Sequence, residues 1–551
     1  MKRIQLVLIP ILLITTFSST AFARFTQDER VSDATTLISK FEHSYAPLEW
    51  KKTYLNIDFE ALKRQLLDKA KSDISDAEFY KAILHFMAGL EDAHIRASAP
   101  VSKSAVLPFS VDQYEGEIVV TEISSDPKEK TPLPFAIGDR LISIDGATAE
   151  TVRDNMAVLG TVGNERSQKR LAAGWITHRY AERFIDVPDG EAHLKFQRRK
   201  DNKIIEVTLP WKVTGFDLAN DKALTLKSNK STFTDKKKTS SLETFRTSIF
   251  DSSTYTSSGM GEERPFFPLW KNFVERHDAP FYSGIIVEGD HKIGFMRIPH
   301  WGFMASSIES FLDEEISYLE EHTDALIIDQ TNNPGGNLCA ISPFISYFIT
   351  EEALPSAMKI RANRSWLMEF EGMIDNEKAL DPDQVIIKTT IDKIRYAMDH
   401  GDRLSDPIFI CESDLDGKIK PHKTYDEKLS VYTKPVLILI NELAASCGDI
   451  FPANMQDIGR ALLFGTRTMG GGGNVTWHGP IGHADIFHSM TESLVWRSKA
   501  VRSPKGIETH YIENVGAIPD IEYKIGIDDF LNDYKKYRET IMEAVLGLIK
   551  K

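Results

Sequence analysis

At 551 residues, with 42% hydrophobic and 10% aromatic residues, the chain is too long for one core and too apolar to stay unfolded; length alone allows roughly three to four domains. A formal net charge of −14 argues against nucleic acid or an anionic membrane surface as the main partner and leaves proteins and peptides open. Three cysteines, Cys339, Cys411 and Cys447, exclude a disulfide framework: they allow at most one bridge and leave one thiol over.

The N-terminus carries an export address. Lys2 and Arg3 precede a largely apolar run from Ile4 to Ile14, and Ala21-Phe22-Ala23 supplies a small-x-small site. Residues 1–23 therefore read as a signal peptide cleaved before Arg24; an uncleaved anchor is the alternative, but the run is short for a bilayer. The mature protein is expected to be soluble, without a membrane span, and periplasmic or secreted.

Residues 24–100 show helical periodicity: Val31, Thr35, Leu37, Ile38 and Phe41, then Phe59, Leu62, Leu66 and Leu67, then Phe79, Ile83, Leu84 and Phe86. Asp76 is a candidate N-cap for the last of these helices. This helical domain ends in Gly89-Leu90-Glu91-Asp92-Ala93-His94, where His94 is either a capping or surface residue or a functional one. Over residues 101–215 strands dominate, and Ile137-Gly138-Asp139-Arg140-Leu141-Ile142-Ser143-Ile144-Asp145-Gly146 resembles the corresponding turn, strand and turn of PDZ domains, which capture extended peptides at a sheet edge. An ordinary hairpin is the other reading. Residues 216–280 are a polar linker or mobile loop. Within them, Ser228 to Arg264 is rich in Ser and Thr with few apolar positions, and is a candidate site of activating cleavage.

Residues 281–551 read as α/β. Lys292 to Ile298 is a strand, Ile308 to Glu321 a helix, and Ala325 to Asp329 a buried strand running into Asn332-Asn333-Pro334-Gly335-Gly336-Asn337, with a helix expected from Cys339. Ala353 to Lys428 reads as helix-like and turn-rich. Pro435 to Asp457 is a buried strand, a small-residue turn (Ala444-Ala445-Ser446-Cys447-Gly448) and a helix. Ser446 there is either a plain N-cap or a nucleophile at a helix start, where unpaired N–H groups favour negative charge; Cys447 is a rival nucleophile and Asp449 a helix-start charge. The strand Ala461 to Gly465 and the glycine run Met469 to Asn474 follow, then Val515 to Asp520 and a terminal helix from Ile527 to Ile549. The glycine run lacks the ending of a phosphate loop, and no zinc-type spacing occurs, so no cofactor or metal is expected.

Taken together, Asp329-Gln330-Thr331-Asn332-Asn333-Pro334-Gly335-Gly336, Ala445-Ser446-Cys447-Gly448-Asp449, Gly465-Thr466-Arg467-Thr468-Met469-Gly470-Gly471-Gly472 and Glu513-Asn514-Val515-Gly516-Ala517-Ile518-Pro519-Asp520 resemble the C-terminal-processing (tail-specific) peptidase family, with Glu91-Asp92-Ala93-His94 as its upstream motif. The tail-specific branch activates its serine with a lysine from the glycine-rich turn, where this chain has Gly471. It is more similar to the tricorn-like branch, which includes the secreted protease-like activity factor and uses a histidine and a glutamate. The resemblance implies a crotonase/ClpP-like α/β core with an inserted PDZ-like domain, a Ser446-His94-Glu513 triad, and protein or peptide substrates. Ser446 would attack as nucleophile, His94 would take its proton, and Glu513 would fix the imidazole. The backbone N–H groups of Gly335 or Gly336, with that of Cys447, are the oxyanion-hole candidates. His510, His478 and His488 are rival bases outside any matching motif. A homodimer, a cleavage-activated zymogen, and a non-catalytic ligand-binding protein, as in the retinoid-binding members of the family, stay open.

Overall fold

The computed structural model describes residues 25–550 except 100, 125–131, 216–258, 376–380, 412, 414 and 415. The signal peptide and most of the Ser/Thr-rich linker lie outside the described residues. No helix among those described is long and apolar enough to cross a membrane.

Four helices open the chain: α1 (Gln27–Ser44), α2 (Leu48–Tyr54), α3 (Phe59–Lys71) and α4 (Asp76–Ala88). Thr26 with Glu29, and Ser75 with Glu78, form capping boxes at α1 and α4, satisfying the end N–H groups reciprocally. The cap of α4 is thus Ser75, and Asp76 is its first residue. Leu37, Phe41, Leu66, Phe79, Ile83 and Phe86 bury the helical stripes in one apolar cluster.

A five-stranded path follows in the order Phe109–Tyr114, Glu117–Ile123, Arg140–Ile144, Glu191–Gln197, Ile204–Pro210, flanked by the helices Ala149–Ala157 and Glu165–Gly174. The turns on either side of Arg140–Ile144 use Gly138 and Gly146 at positive φ, as the PDZ-like stretch requires.

The C-terminal half is built on seven strands in the order Phe273–His277, Ser283–Glu288, His291–Arg297, Ala325–Asp329, Val436–Ile440, Leu462–Gly465, Ile521–Glu522. From His291–Arg297 onward the pairs are parallel. Helices Ala305–His322 and Cys447–Asp457 contribute to the apolar cluster of one face and Lys535–Ile549 to that of the other, so every residue of Ala325–Asp329 and Val436–Ile440 is buried. The C-terminal ends of these two neighbouring strands lead into the 330–337 loop and the Ser446 turn, the position where open parallel sheets place their sites.

Four features depart from the sequence reading, the first being that Phe273–His277, within the residues read as linker, is a strand of the seven-stranded sheet, paired with Ser283–Glu288. Strands Val475–Ile481, Ile486–Thr491, Ser493–Arg502 and Glu508–Tyr511 follow the glycine run. Ala357–Ile360 is a strand paired with Ser493–Arg502 in a region read as helix and turn. The terminal helix is two, Ile527–Leu531 and Lys535–Ile549, broken where Asp533 and Tyr534 take positive φ.

Cys339 and Cys411 form a disulfide across 72 residues, and Cys447 is free and buried. Thiol titration is therefore expected to find no reactive thiol in the native protein and one after denaturation without reductant. Replacing the bridged pair by serines is expected to cost about 4 kcal/mol in urea unfolding, from the loop the bridge closes.

Candidate active site

Ser446 sits between the strand Val436–Ile440 and the helix Cys447–Asp457, with φ 56° and ψ −119°. A non-glycine residue there stores on the order of 1–3 kcal/mol of strain, the kind of sharp strand-to-helix turn that lifts a nucleophile out of the sheet. The N-cap alternative is not met: the Ser446 hydroxyl makes no cap hydrogen bond. The turn is locked to the neighbouring loop, where Asn441 Oδ1 accepts from the Asn332 N–H (2.8 Å) and Asn441 Nδ2 donates to Asn332 Oδ1 (2.6 Å).

Gly335 packs directly against Ser446. At φ 97° a Cβ there would lie 2.6 Å from Ser446 Cβ and 2.9 Å from the Cys447 nitrogen. Its own N–H is spent on Asn333 Oδ1 (2.8 Å). Among the described residues the N–H groups of Gly336 and Cys447 have no acceptor, so those two remain of the three oxyanion-hole candidates. Burial pushes the Cys447 thiol up to about 12, and its Sγ faces the Gly336 carbonyl at 3.3 Å. It is a neutral thiol near pH 7, which removes its case as nucleophile.

His94 reaches this turn by non-local pairing. Arg96–Ser98, just after it, pairs antiparallel with Ile486–Thr491, and Ser489 Oγ donates to the His94 carbonyl (2.6 Å). Asp92 folds the preceding turn, its Oδ1 accepting from the His94 N–H (2.8 Å) and its Oδ2 from the Tyr45 hydroxyl (2.8 Å). A Cβ on Gly471 would lie 3.3 Å from His94 Cε1 and 3.4 Å from the Ser446 nitrogen, so the His94 ring and the Ser446 backbone flank one glycine. Burial, helped by Arg96 and Lys51 and opposed by Asp92, lowers His94 to about 4, which keeps the imidazole neutral at pH 7.

The glycine turn is held by Asp449, which stands in the first turn of Cys447–Asp457, as the sequence reading has it, and is buried. Its carboxylate accepts from Thr468 Oγ1 and from the N–H groups of Gly470 (2.8 Å) and Gly471 (3.0 Å). Burial pushes Asp449 up to about 6.

Glu513 is fully buried. Its Oε2 accepts from the Gly472 N–H (2.8 Å), its Oε1 takes the Lys51 ammonium, and its main-chain carbonyl accepts from Trp50 Nε1 (2.8 Å). One ring nitrogen of His94 and one carboxylate oxygen each of Glu513 and Asp92 lie within 4.8 Å of one another. Their spacing would suit a metal ion, but the ammonium already on Glu513 opposes a second cation there. Burial and the Asp92 charge raise Glu513 to about 7, with Lys51 and the Gly472 N–H pulling it down. Sequence reasoning missed Lys51: in Glu49-Trp50-Lys51-Lys52 it looks like any helix-surface lysine, and only the docking of α2 buries it.

The rival bases are engaged elsewhere. His510 Nδ1 bonds the Arg497 carbonyl (2.7 Å) and its ring stacks on Trp496, while His478 and His488 stack on each other.

Residues 292–523 match the family model for peptidase family S41, and residues 103–218 match a PDZ domain. An uncharacterized protein of Chlamydia muridarum (strain MoPn / Nigg) is 28% identical over 615 aligned residues, covering 98% of this chain and 97% of the relative. A protein of Chlamydia trachomatis serovar D is 27% identical, covering 98% and 96%. Among solved structures, mature CPAF superposes with a TM-score of 0.74 at 24% identity, over 95% of this chain and 98% of that one, a likeness of fold.

Proposed function

We propose, from the match of residues 292–523 to the model for peptidase family S41, an exported serine endopeptidase in which Ser446 is the nucleophile, His94 the general base and Glu513 the orienting carboxylate. The observation that carries this reading is the single glycine, Gly471, flanked by the His94 ring and the Ser446 backbone, with the Glu513 carboxylate within 4.8 Å of the ring. Ser446 Oγ attacks the scissile carbonyl as its proton passes to the neutral imidazole. The oxyanion falls to the Gly336 and Cys447 N–H groups, and the imidazolium to Glu513. His94 then gives the proton to the leaving amine, and water, deprotonated by the same ring, releases the acyl group from Ser446. Export is supported by the leader-like first 23 residues and by the Cys339–Cys411 bridge, which persists in an oxidising compartment.

Glu513→Gln should keep the shape of the site and lose the charge that stabilises the imidazolium. Turnover is expected to fall on the order of 10⁴-fold with KM nearly unchanged. The test of the function is digestion of casein by the purified chain lacking residues 1–23, with products read by mass spectrometry. Internal cuts are expected; trimming from chain ends alone, or no cutting even after nicking within Ser228 to Arg264, contradicts the endopeptidase.

A second reading, a zymogen, is favoured by one group of contacts. Ser446 is only 1% exposed, and the end of the linker lies against the loop beside it: the Gly261 N–H donates to the Asn332 carbonyl (2.9 Å) and Asn332 Nδ2 to the Gly259 carbonyl (3.3 Å), while Met260 is buried. Activity should then appear only after cleavage within Ser228 to Arg264 or on dimer formation. Deleting that loop without changing activity or its onset removes the cleavage version.

A further inference from the structure

We propose, resting on the serine-peptidase reading above, that Lys51 is a positioning residue of this active site, whose ammonium holds the Glu513 carboxylate in place and in its ionised form beside His94. Lys51 and Glu513 side chains are both fully buried and paired. The same Nζ donates to the carbonyl of Glu91 (2.8 Å), three residues before His94, in a turn where Glu91 itself takes φ 47°. One cation thus ties the carboxylate to the segment that delivers the imidazole. Two further bonds brace the joint: Asn514 Nδ2 donates to the same Glu91 carbonyl (2.9 Å), and Trp50, next to Lys51 on α2, donates to the Glu513 carbonyl. Helix α2 therefore grips Glu513 by both its main chain and its side chain. Each carboxylate oxygen has two acceptor sites, so the bonds to Lys51 and Gly472 still leave room for a ring N–H.

The charges facing Glu513 come from three directions. Lys51 stands on α2, Asp92 and His94 on the segment after α4, and the Gly472 N–H on the glycine turn. Tyr45, at the end of α1, donates to Asp92 Oδ2, and Arg96 acts on His94. Burial and Asp92 favour the protonated acid; Lys51 opposes them. Without the ammonium, Glu513 stays protonated to higher pH, and a neutral acid cannot stabilise the imidazolium formed when Ser446 attacks. A purely structural buried pair behaves differently, since an uncharged replacement changes stability but not which proton governs the reaction.

The experiment compares the full mature chain with Lys51→Arg and Lys51→Gln, reading the rate at which a fluorophosphonate labels Ser446 from pH 5 to 9, with thermal unfolding as the fold control. Both replacements keep hydrogen-bond donors, and only arginine keeps the charge. Lys51→Arg is expected to follow the wild-type acid limb. Lys51→Gln is expected to shift that limb up by about 1–3 pH units, losing at least about tenfold in rate below it and recovering above it. Equal losses in both variants at every pH, equal failure of both to fold, or a wild-type limb in Lys51→Gln each mark a structural lysine and overturn the proposal. If the wild-type chain, nicked within Ser228 to Arg264 or not, is not labelled at any pH, the peptidase reading itself fails and this inference falls with it.

Discussion

Replacing Ser446 with alanine is expected to lower turnover about a million-fold, equivalent to about 8 kcal/mol in the barrier, while the fold survives. The substitution removes one oxygen that caps nothing in the helix behind it and keeps the Cβ against which Gly335 is packed. The backbone at φ 56° is as strained for alanine as for serine, so the folded state neither gains nor loses a turn constraint. Thermal unfolding and far-ultraviolet dichroism should match the parent, and peptide hydrolysis should drop to the residue that the oxyanion donors and binding alone supply. A Ser446→Ala protein within tenfold of the parent would mean that the hydrolysis belongs to another group.

His94→Ala is expected to cost about as much, and the Ser446→Ala/His94→Ala double variant no more than either alone. In the proposed mechanism nucleophile and base act as one unit: without the base the hydroxyl keeps its proton, and without the hydroxyl the base has nothing to deprotonate. The ring is prepared for this work, since burial lowers it to about 4 and leaves a neutral acceptor beside Ser446 throughout the neutral range. Replacing His510, His478 or His488 should leave turnover within a few-fold, because His510 is committed to the Arg497 carbonyl and the other two stack on each other. These turnover numbers decide it. Additive losses in the double variant, or a million-fold loss at His488, would contradict the assignment.

The parts of this site that could be read from the residues are those where short-range pattern and environment coincide. Ala325–Asp329 and Val436–Ile440 are covered on both faces, so apolar character runs unbroken and then stops where each strand meets its loop. The small-residue turn carrying Ser446 and the glycines beside it follow from the same logic: a chain that must turn sharply and approach another backbone has to shed side chains. Most of what stayed hidden depends on contacts between segments distant in the chain. Nothing near Arg96 announces that it pairs with Ser489, although that register delivers His94. The strands after the glycine run complete the same pairing. Lys51 reads as a surface charge because its burial is a property of where α2 docks, and Asp449 reads as a helix-start charge because its partners, Thr468, Gly470 and Gly471, lie beyond the next strand. The break at Asp533 and Tyr534 carries no glycine or proline, so the terminal helix reads as continuous in the sequence.

The central claim is that Ser446 is a histidine-activated nucleophile, and fluorophosphonate labelling of the folded protein followed by peptide mass spectrometry tests it most directly. The adduct is expected on Ser446 alone, at once or after nicking within Ser228 to Arg264. It should be absent from Ser446→Ala and from denatured protein, and strongly slowed in His94→Ala. An adduct on a different serine, or none on Ser446 in folded protein under either condition, would contradict it.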